Sequence, residues 1–349
     1  MHFKTVLVVV SLLLSVAIGL ALRGSGAVAG VSRKPKIGLS LDTLKEARWQ
    51  MDRDNFVARC TELGADVRVE SANSDDNVQI QNVTGLLTGG VDVLVVAAHN
   101  GVVMAKAVEM AHAQTPPVPV IAYDRLIMNS DVDLYMSFDN LRVGQQQGQF
   151  IVDSAAKSGK RPFKIVRIYG SKTDNNALLF KQGQDQALKP AIDSGAVQVL
   201  LEDWAEDWKP ENGKKIVNAA VTRFGKDIDA VLASNDGTAG GAIQALSEEG
   251  LSGRVLVTGQ DAELVACQRM VQGSQSMSIY KPLKQLAGRA AEIAVAMANR
   301  KPVTAGHSVN NGKVDVPAVL MDSQVVTRDD LEATVVKDGM FTREQIFGK

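Results

Sequence analysis

Cysteine is nearly missing from this 349-residue chain; Cys60 and Cys267 are the only two. They fall in different halves, each within a stretch of helical periodicity, so no disulfide framework organises the fold. Both read as small buried apolar residues. Histidine is almost as scarce. His2, His99, His112 and His307 are scattered, and only His99, at the end of a strand-like run, has a case for a site. A basic excess is missing too. Thirty-eight Lys and Arg stand against 39 Asp and Glu, a formal net charge of -1. A nucleic-acid partner requires a basic stripe that this balance does not supply.

Catalytic motifs are absent as well. There is no GxxxxGK[ST] phosphate loop, no HExxH and no GxSxG elbow. The one glycine-dense run near GxGxxG, residues 24–30, follows no strand. Nucleotide, metal and acyl-transfer chemistry therefore lack their usual parts. No cofactor, no metal ion and no catalytic residue is expected. Low-complexity segments, long linkers and charged tails are also missing.

A long apolar run occurs once. Residues 6–22 form a 17-residue stretch broken only by Ser11, Ser15 and Gly19. Lys4 precedes it, and Ala27-Val28-Ala29 supplies an A-x-A cleavage pattern. A spanning helix needs roughly 20 residues, so residues 1–29 are expected to be a secretory signal peptide, with a retained anchor as the alternative. No cysteine near residue 29 offers a lipid-anchoring point. The mature protein is expected to be soluble and exported.

Beyond residue 35 the chain alternates strand and helix. Apolar β-rich runs lie at 36–41, 66–71, 92–97 and 118–122, and again at 164–169, 197–201, 230–233 and 254–258. Phe56, Cys60 and Leu63 share one helical face between the first two. Starts recur at roughly 25 to 33 residues, the length of a βα unit. Parallel sheets with helices on both faces and right-handed crossovers follow. A mature chain of about 320 residues is too long for one core, so two lobes are expected. Pro282 opens a further helix with Leu283, Leu286, Ala290, Ile293 and Met297 on one face. Short extended segments follow near 314–321 and 323–327, then a small terminal helix. This tail holds too few apolar residues for a third domain and is expected to complete the two lobes.

Polar and aromatic residues collect at the strand ends. Arg48 and Trp49 follow the first strand, and Asp124 and Arg125 the fourth. In the second half come Asp174, Asn175 and Asn176, then Trp204 and Trp208, Asn235 and Asp236, Gln260 and Asp261. Lys281 follows a short strand at 277–280. In an open α/β sheet, ligands bind at the carboxyl ends of the strands. An acid beside a base at such an end suits an uncharged ligand rich in hydroxyl groups. Carboxylates accept, Arg and Lys donate and Asn does both; tryptophan covers the C–H face of a ring. Plainer roles stay open for each. Asp124 and Arg125 pair at a turn; Asn235, Asp236 and one of residues 174–176 cap helices; Trp204 or Trp208 fills core; Lys281 starts a solvated helix; Asp139 and Asn140 cap another.

The strings ARWQMDRDNF, GVDVLVVAAHNG, IAYDRLI, YMSFDN, TDNNALLFKQGQ, WKPENGKKI, ASNDGTAGGAIQALS, SGRVLVTGQDAEL and IYKPL span nearly the whole mature chain. In their combination the sequence resembles the periplasmic sugar-binding proteins of ABC importers, of the ribose/galactose/xylose type. That resemblance implies a type I periplasmic binding protein fold: two similar doubly wound parallel-sheet lobes joined by three crossover strands. The lobes would be 35–138 plus 282–313, and 139–280 plus 314–349. It implies Arg48, Trp49, Asp124 and Arg125 as sugar contacts from one lobe, with Trp49 stacking opposite Trp208. Asp174, Asn176, Trp208, Asn235, Asp261 and Lys281 would close from the other. The implied ligand is a monosaccharide, D-xylose foremost. The implied partner is an ABC permease with its ATPase, to which a monomeric protein delivers the sugar after hinge closure. A chemoreceptor or sensor kinase is the alternative partner. An exported enzyme using Asp124, Asp174 or Asp261 as acid and base is the remote one.

Overall fold

Every residue of strand β1 (Lys36–Leu41) after Lys36 is buried, as are all of β3 (Val93–Ala97) and β4 (Val120–Tyr123). Strands with no solvent face belong to a parallel sheet covered on both sides. The computed structural model describes residues 33–348, and it has such a sheet. The expected leader, 1–29, lies outside those residues. β2 (Asp66–Ser71), β5 (Leu134–Phe138), β11 (His307–Asn310) and β12 (Asp315–Met321) complete a seven-stranded sheet of order β11-β12-β5-β4-β3-β1-β2. All its pairings are parallel except β11 with β12.

Helices cover both faces. On one, α1 (Ala47–Glu62) packs with a late helix (Leu283–Ala298) over Ile37, Leu39, Val93 and Val95. On the other, α2 (Asp76–Thr88) and α3 (Ala105–His112) pack over Leu94, Val96 and Val120. The second sheet holds β6 (Phe163–Tyr169), β7 (Val197–Trp204), β8 (Ala230–Ala233) and β9 (Leu256–Val257), all parallel, in the order β7-β6-β8-β9. It lies between α4 (Asn140–Ser158) with α5 (Asn175–Asp193), and α6 (Pro210–Phe224) with α7 (Asp236–Glu248). In both sheets the first strand is flanked by the second on one side and the third on the other. The two lobes therefore share one winding, and each has a switch point where ligands bind.

The chain passes between the lobes three times. It leaves the first sheet after β5 and enters α4. It returns from β10 (Ser278–Tyr280) into the late helix, α9, after α8 (Leu264–Gln272). It leaves again from β12 into β13 (Gln324–Val326), which pairs antiparallel with β10. Met321 lies opposite Phe138 in the β12–β5 ladder, so two of the crossings leave side by side. Residues 315–321 were expected in the second lobe and instead extend the first sheet; the crossing falls near 322–323. The cause is a hairpin: Gly312, at φ +91°, turns β11 back onto β12 and delivers β12 beside β5. Beyond β13, Leu331, Val335 and Ile346 pack with α8 residues Cys267 and Met270. Among the described residues, no helix is long and apolar enough to cross a membrane. Cys60 and Cys267 are free and fully buried, and burial pushes both thiols up to about 12.

α4 and α5 touch backbone to backbone because glycine permits it. A Cβ on Gly144 would lie 2.1 Å from the Phe180 carbonyl oxygen, and one on Gly183 2.1 Å from that of Leu141. This contact sets α5, whose first turns carry Asn176 and Phe180, against the interlobe space.

Candidate functional site

The strand ends of both lobes meet around one cavity. Its walls are Glu46, Arg48, Trp49, Asp124 and Arg125 from the first lobe, and Asp174, Asn176, Phe180, Trp208, Asn235, Gln260, Asp261 and Lys281 from the second. All ten residues singled out from the sequence are present. Gln260, named among the strand-end residues but not among the ten, lines it too, and Glu46 and Phe180 are additional. The empty space among their atoms, part of it open to solvent, is about 360 Å³.

Charge organises the walls. Arg48 sits on the buried face of α1, four residues before Asp52. Its Nη2 donates to Asp52 Oδ2 at 2.7 Å and to Asp124 Oδ2 at 2.9 Å, while Nη1 reaches Asp261 Oδ1 of the other lobe at 3.5 Å. Arg125 donates to Asp42 Oδ2 at 2.6 Å and pairs through Nε with Asp174 Oδ2 across the cleft at 3.0 Å. Asn176 Nδ2 donates to Asp124 Oδ1 at 3.2 Å. Lys281 Nζ lies 3.4 Å from Asp261 Oδ1 and over the rings of Phe138 and Phe180. Burial alone would raise the Asp124 carboxyl; Arg48, Lys281 and Arg125 outweigh it and hold the group below its ordinary range. Burial would strip the proton from Arg125, but Asp174 and Asp42 more than compensate and drive its pKa up.

The aromatic groups are fixed by the same network. Trp49 is buried and carries the Arg48 and Arg125 guanidinium groups at 4.2 and 5.2 Å from its ring centroid. Trp208 donates from Nε1 to Asp174 Oδ2 at 3.1 Å and meets Phe180 edge-on at 6.2 Å. Trp204 takes no part in the cavity wall and meets Tyr169 at 4.9 Å with the rings tilted by 47°. Asp124, Trp208 and Asp261 have φ values of 61°, 57° and 93°. Such non-glycine backbones cost about 1–3 kcal/mol each and gather at functional sites.

The capping roles and the site roles coincide in two places. Asp174 Oδ1 accepts from Asn176 N while Oδ2 takes Trp208. Asn235 accepts from Thr238 N as the cap of α7 and still lines the cavity. Asp236 is outside the wall, bonded to Ser278, Gln275 and Glu263 N. Asp139 caps α4. His99 does not line the cavity: Nδ1 lies 2.9 Å from Asp42 Oδ1, so it reaches the site only through Asp42 and Arg125. That bond raises the imidazole pKa.

Gly170 makes room for Trp208. A Cβ there would fall 2.1 Å from two atoms of the indole. Gly170→Ala is therefore expected to push Trp208 out of the wall, break its bond to Asp174 and destabilise the protein by about 1–3 kcal/mol through overpacking. Greater iodide quenching of tryptophan fluorescence would register the displacement; quenching equal to wild type would mean the ring stays.

Comparison with known proteins agrees with this architecture. A periplasmic binding protein domain matches residues 37–302. The chain is 46% identical over 316 residues to the D-xylose-binding periplasmic protein of Haemophilus influenzae, covering 90% of this chain and 93% of that one. It is 43% identical over 319 residues to the D-xylose-binding periplasmic protein of Escherichia coli K12, with 91% and 94% covered. A carbohydrate transporter solute binding protein from Chloroflexus aurantiacus, solved in complex with D-glucose, superposes with a TM-score of 0.83 at 29% identity, over 90% of this chain and 98% of that one. With two equally wound lobes, three crossings and a charged interlobe cavity, this chain belongs to the periplasmic binding protein family.

Proposed function

We propose that the protein binds a monosaccharide, D-xylose before other aldoses, in the periplasm and hands it to an ABC permease. The observation that carries this reading is the convergence of Arg48, Asp124, Arg125, Asn176, Asn235, Asp261 and Lys281, from both lobes, on one small cavity. Their donors and acceptors alternate as sugar hydroxyls require, and the names of the H. influenzae and E. coli relatives supply the sugar. A ligand touching both lobes favours the closed arrangement by its differential affinity. The monomer then presents one closed surface to the permease, or alternatively to a chemoreceptor.

No covalent step is part of this reading. Asp124 is held ionised by Arg48, which suits an acceptor and not a proton donor. Asp174 and Asp261 each pair with an arginine across the cleft, and burial raises the Asp174 carboxyl against the pull of Arg125. Site roles follow the same division: Arg48, Arg125 and Lys281 donate to the sugar, Asp124, Asp174 and Asp261 accept, Asn176 and Asn235 do both, and Trp49 and Trp208 cover the ring.

A calorimetric panel of pentoses and hexoses tests the proposal. Micromolar or tighter binding of D-xylose is expected; a pentose of about ten heavy atoms permits it. Small-angle scattering should show the radius of gyration falling as sugar is added. No heat with any aldose, or an unchanged envelope on saturation, would remove the proposal.

A further inference from the structure

Two polar side chains in the cavity wall are left over once the charge network is accounted for. Gln260 follows β9 in the second lobe and is 3% exposed. Its backbone carbonyl accepts from Asp236 N at 3.0 Å, which pins the main chain. Its side-chain Oε1 is buried with no hydrogen-bond partner among the described residues. Glu46 enters the same cavity from the first lobe, and its Oε2 is buried and equally without a partner. Glu46 occupies the N-cap of α1, yet its side chain accepts from no N–H of that helix. Ser, Thr, Asp or Asn would serve a cap better. The carboxyl is therefore not there for the helix. Burial raises its pKa, against the pull of its own backbone amide and of Arg125.

A buried acceptor with no donor is unfavourable and rare in native proteins. Here two residues that carry such an acceptor line one cavity from opposite lobes. We propose that Gln260 and Glu46 are sugar-contacting residues, one per lobe, that each accept a hydrogen bond from a ligand hydroxyl and so select which hydroxyl pattern is bound. This rests on the sugar-binding reading and adds to it the two groups that discriminate among sugars. A hydroxyl hydrogen can meet either oxygen, whereas a C–H in its place leaves the acceptor as it was. A site built to bond a hydroxyl rejects the analogue that lacks it. Because the two acceptors come from different lobes, both are met only when the ligand is clamped.

Calorimetry of wild type, Gln260→Met, Glu46→Ala and Asp124→Ala with D-xylose and its 2-, 3- and 4-deoxy analogues decides the matter. Each of the first two variants is expected to bind D-xylose about tenfold or more weakly, from the loss of one ligand hydrogen bond. Each should also stop distinguishing D-xylose from one deoxy analogue that wild type rejects. Affinity within twofold of wild type and unchanged discrimination overturn the assignment of that residue. If Gln260→Met does not fold, the Gln260 side-chain amide resonances of the wild-type protein serve: a shift on adding D-xylose supports the contact, and no shift overturns it. If Asp124→Ala loses binding while Gln260→Met and Glu46→Ala keep it, this inference alone fails. If wild type binds no sugar, the functional reading fails with it.

Discussion

Arg48→Ala is expected to lower stability by about 3–5 kcal/mol, the range for breaking a buried ion pair from one side, and to abolish sugar binding. Arg48 is 5% exposed and is shared among Asp52, Asp124 and Asp261. Asp52 also accepts Tyr123 Oη at 2.5 Å, so that carboxyl is locked in place beside Asp124. Removing the guanidinium leaves these acids facing one another without their common counter-ion. Burial already raises the Asp52 pKa, with Arg48 the chief opposing influence. Without Arg48 the pKa of that carboxyl should rise further, and that of Asp124 should rise with it. The stacking of the guanidinium on Trp49 is lost at the same time.

Arg48→Lys separates charge from geometry. An ammonium keeps the positive charge but cannot fork between Asp52 and Asp124 while reaching Asp261. Its stability should fall between wild type and Arg48→Ala, and its affinity for sugar nearer to Arg48→Ala. Urea unfolding followed by circular dichroism measures the first, calorimetry the second. A loss under about 1 kcal/mol for Arg48→Ala, the scale of an exposed pair, would show that the network does not hold the site together.

The parts of this molecule that the sequence disclosed are those where burial and periodicity coincide. The runs at 36–41, 66–71 and 230–233 are the strands β1, β2 and β8 to the residue. The run at 254–258 shrinks to Leu256–Val257, because Gly253 turns at φ +75° and Gly259 lies under the Asp236 and Gln275 side chains. β5 was not separable from loop by pattern, and 314–321 read as extended without disclosing its return to the first sheet, since each is ordered by the other from some 180 residues away in sequence. The cavity residues were legible because they follow strand ends. The carboxylates behind them were not. Asp52 could have been found from its spacing: Arg48, Asp52, Phe56 and Cys60 form one buried face of α1, and an acid on an apolar stripe needs a partner. Phe180 was open to the same argument, one helical turn after Asn176. Glu46 looked like an ordinary charged helix start; only its buried Oε2, without a partner, distinguishes it.

Glu263→Gln is expected to stabilise the protein in alkaline solution and to leave it unchanged in acid. Glu263 is half-buried at the start of α8, and burial, then the nearby Asp236, Asp261 and Glu46 carboxyls, push its pKa from 4.5 to about 8 against the pull of Arg269. Asp236 is itself raised to about 7, chiefly by burial. Between pH 4.5 and 8 the folded protein keeps a proton on Glu263 that the unfolded chain has released. Stability from this group is therefore fully present below 4.5 and declines as pH rises through 8. The whole interval would amount to about 5 kcal/mol at 1.36 per unit. Partial exposure and the repulsion shared with Asp236 reduce the expected gain to about 2–3 kcal/mol at pH 9. Glutamine keeps the shape and carries no charge at any pH, so the variant should match wild type at pH 4 and diverge upward from there. Urea midpoints measured from pH 4 to 9 give the curve directly. A constant offset across that range, or a variant weaker than wild type at pH 9, would mean that Glu263 is ionised and satisfied in the folded protein.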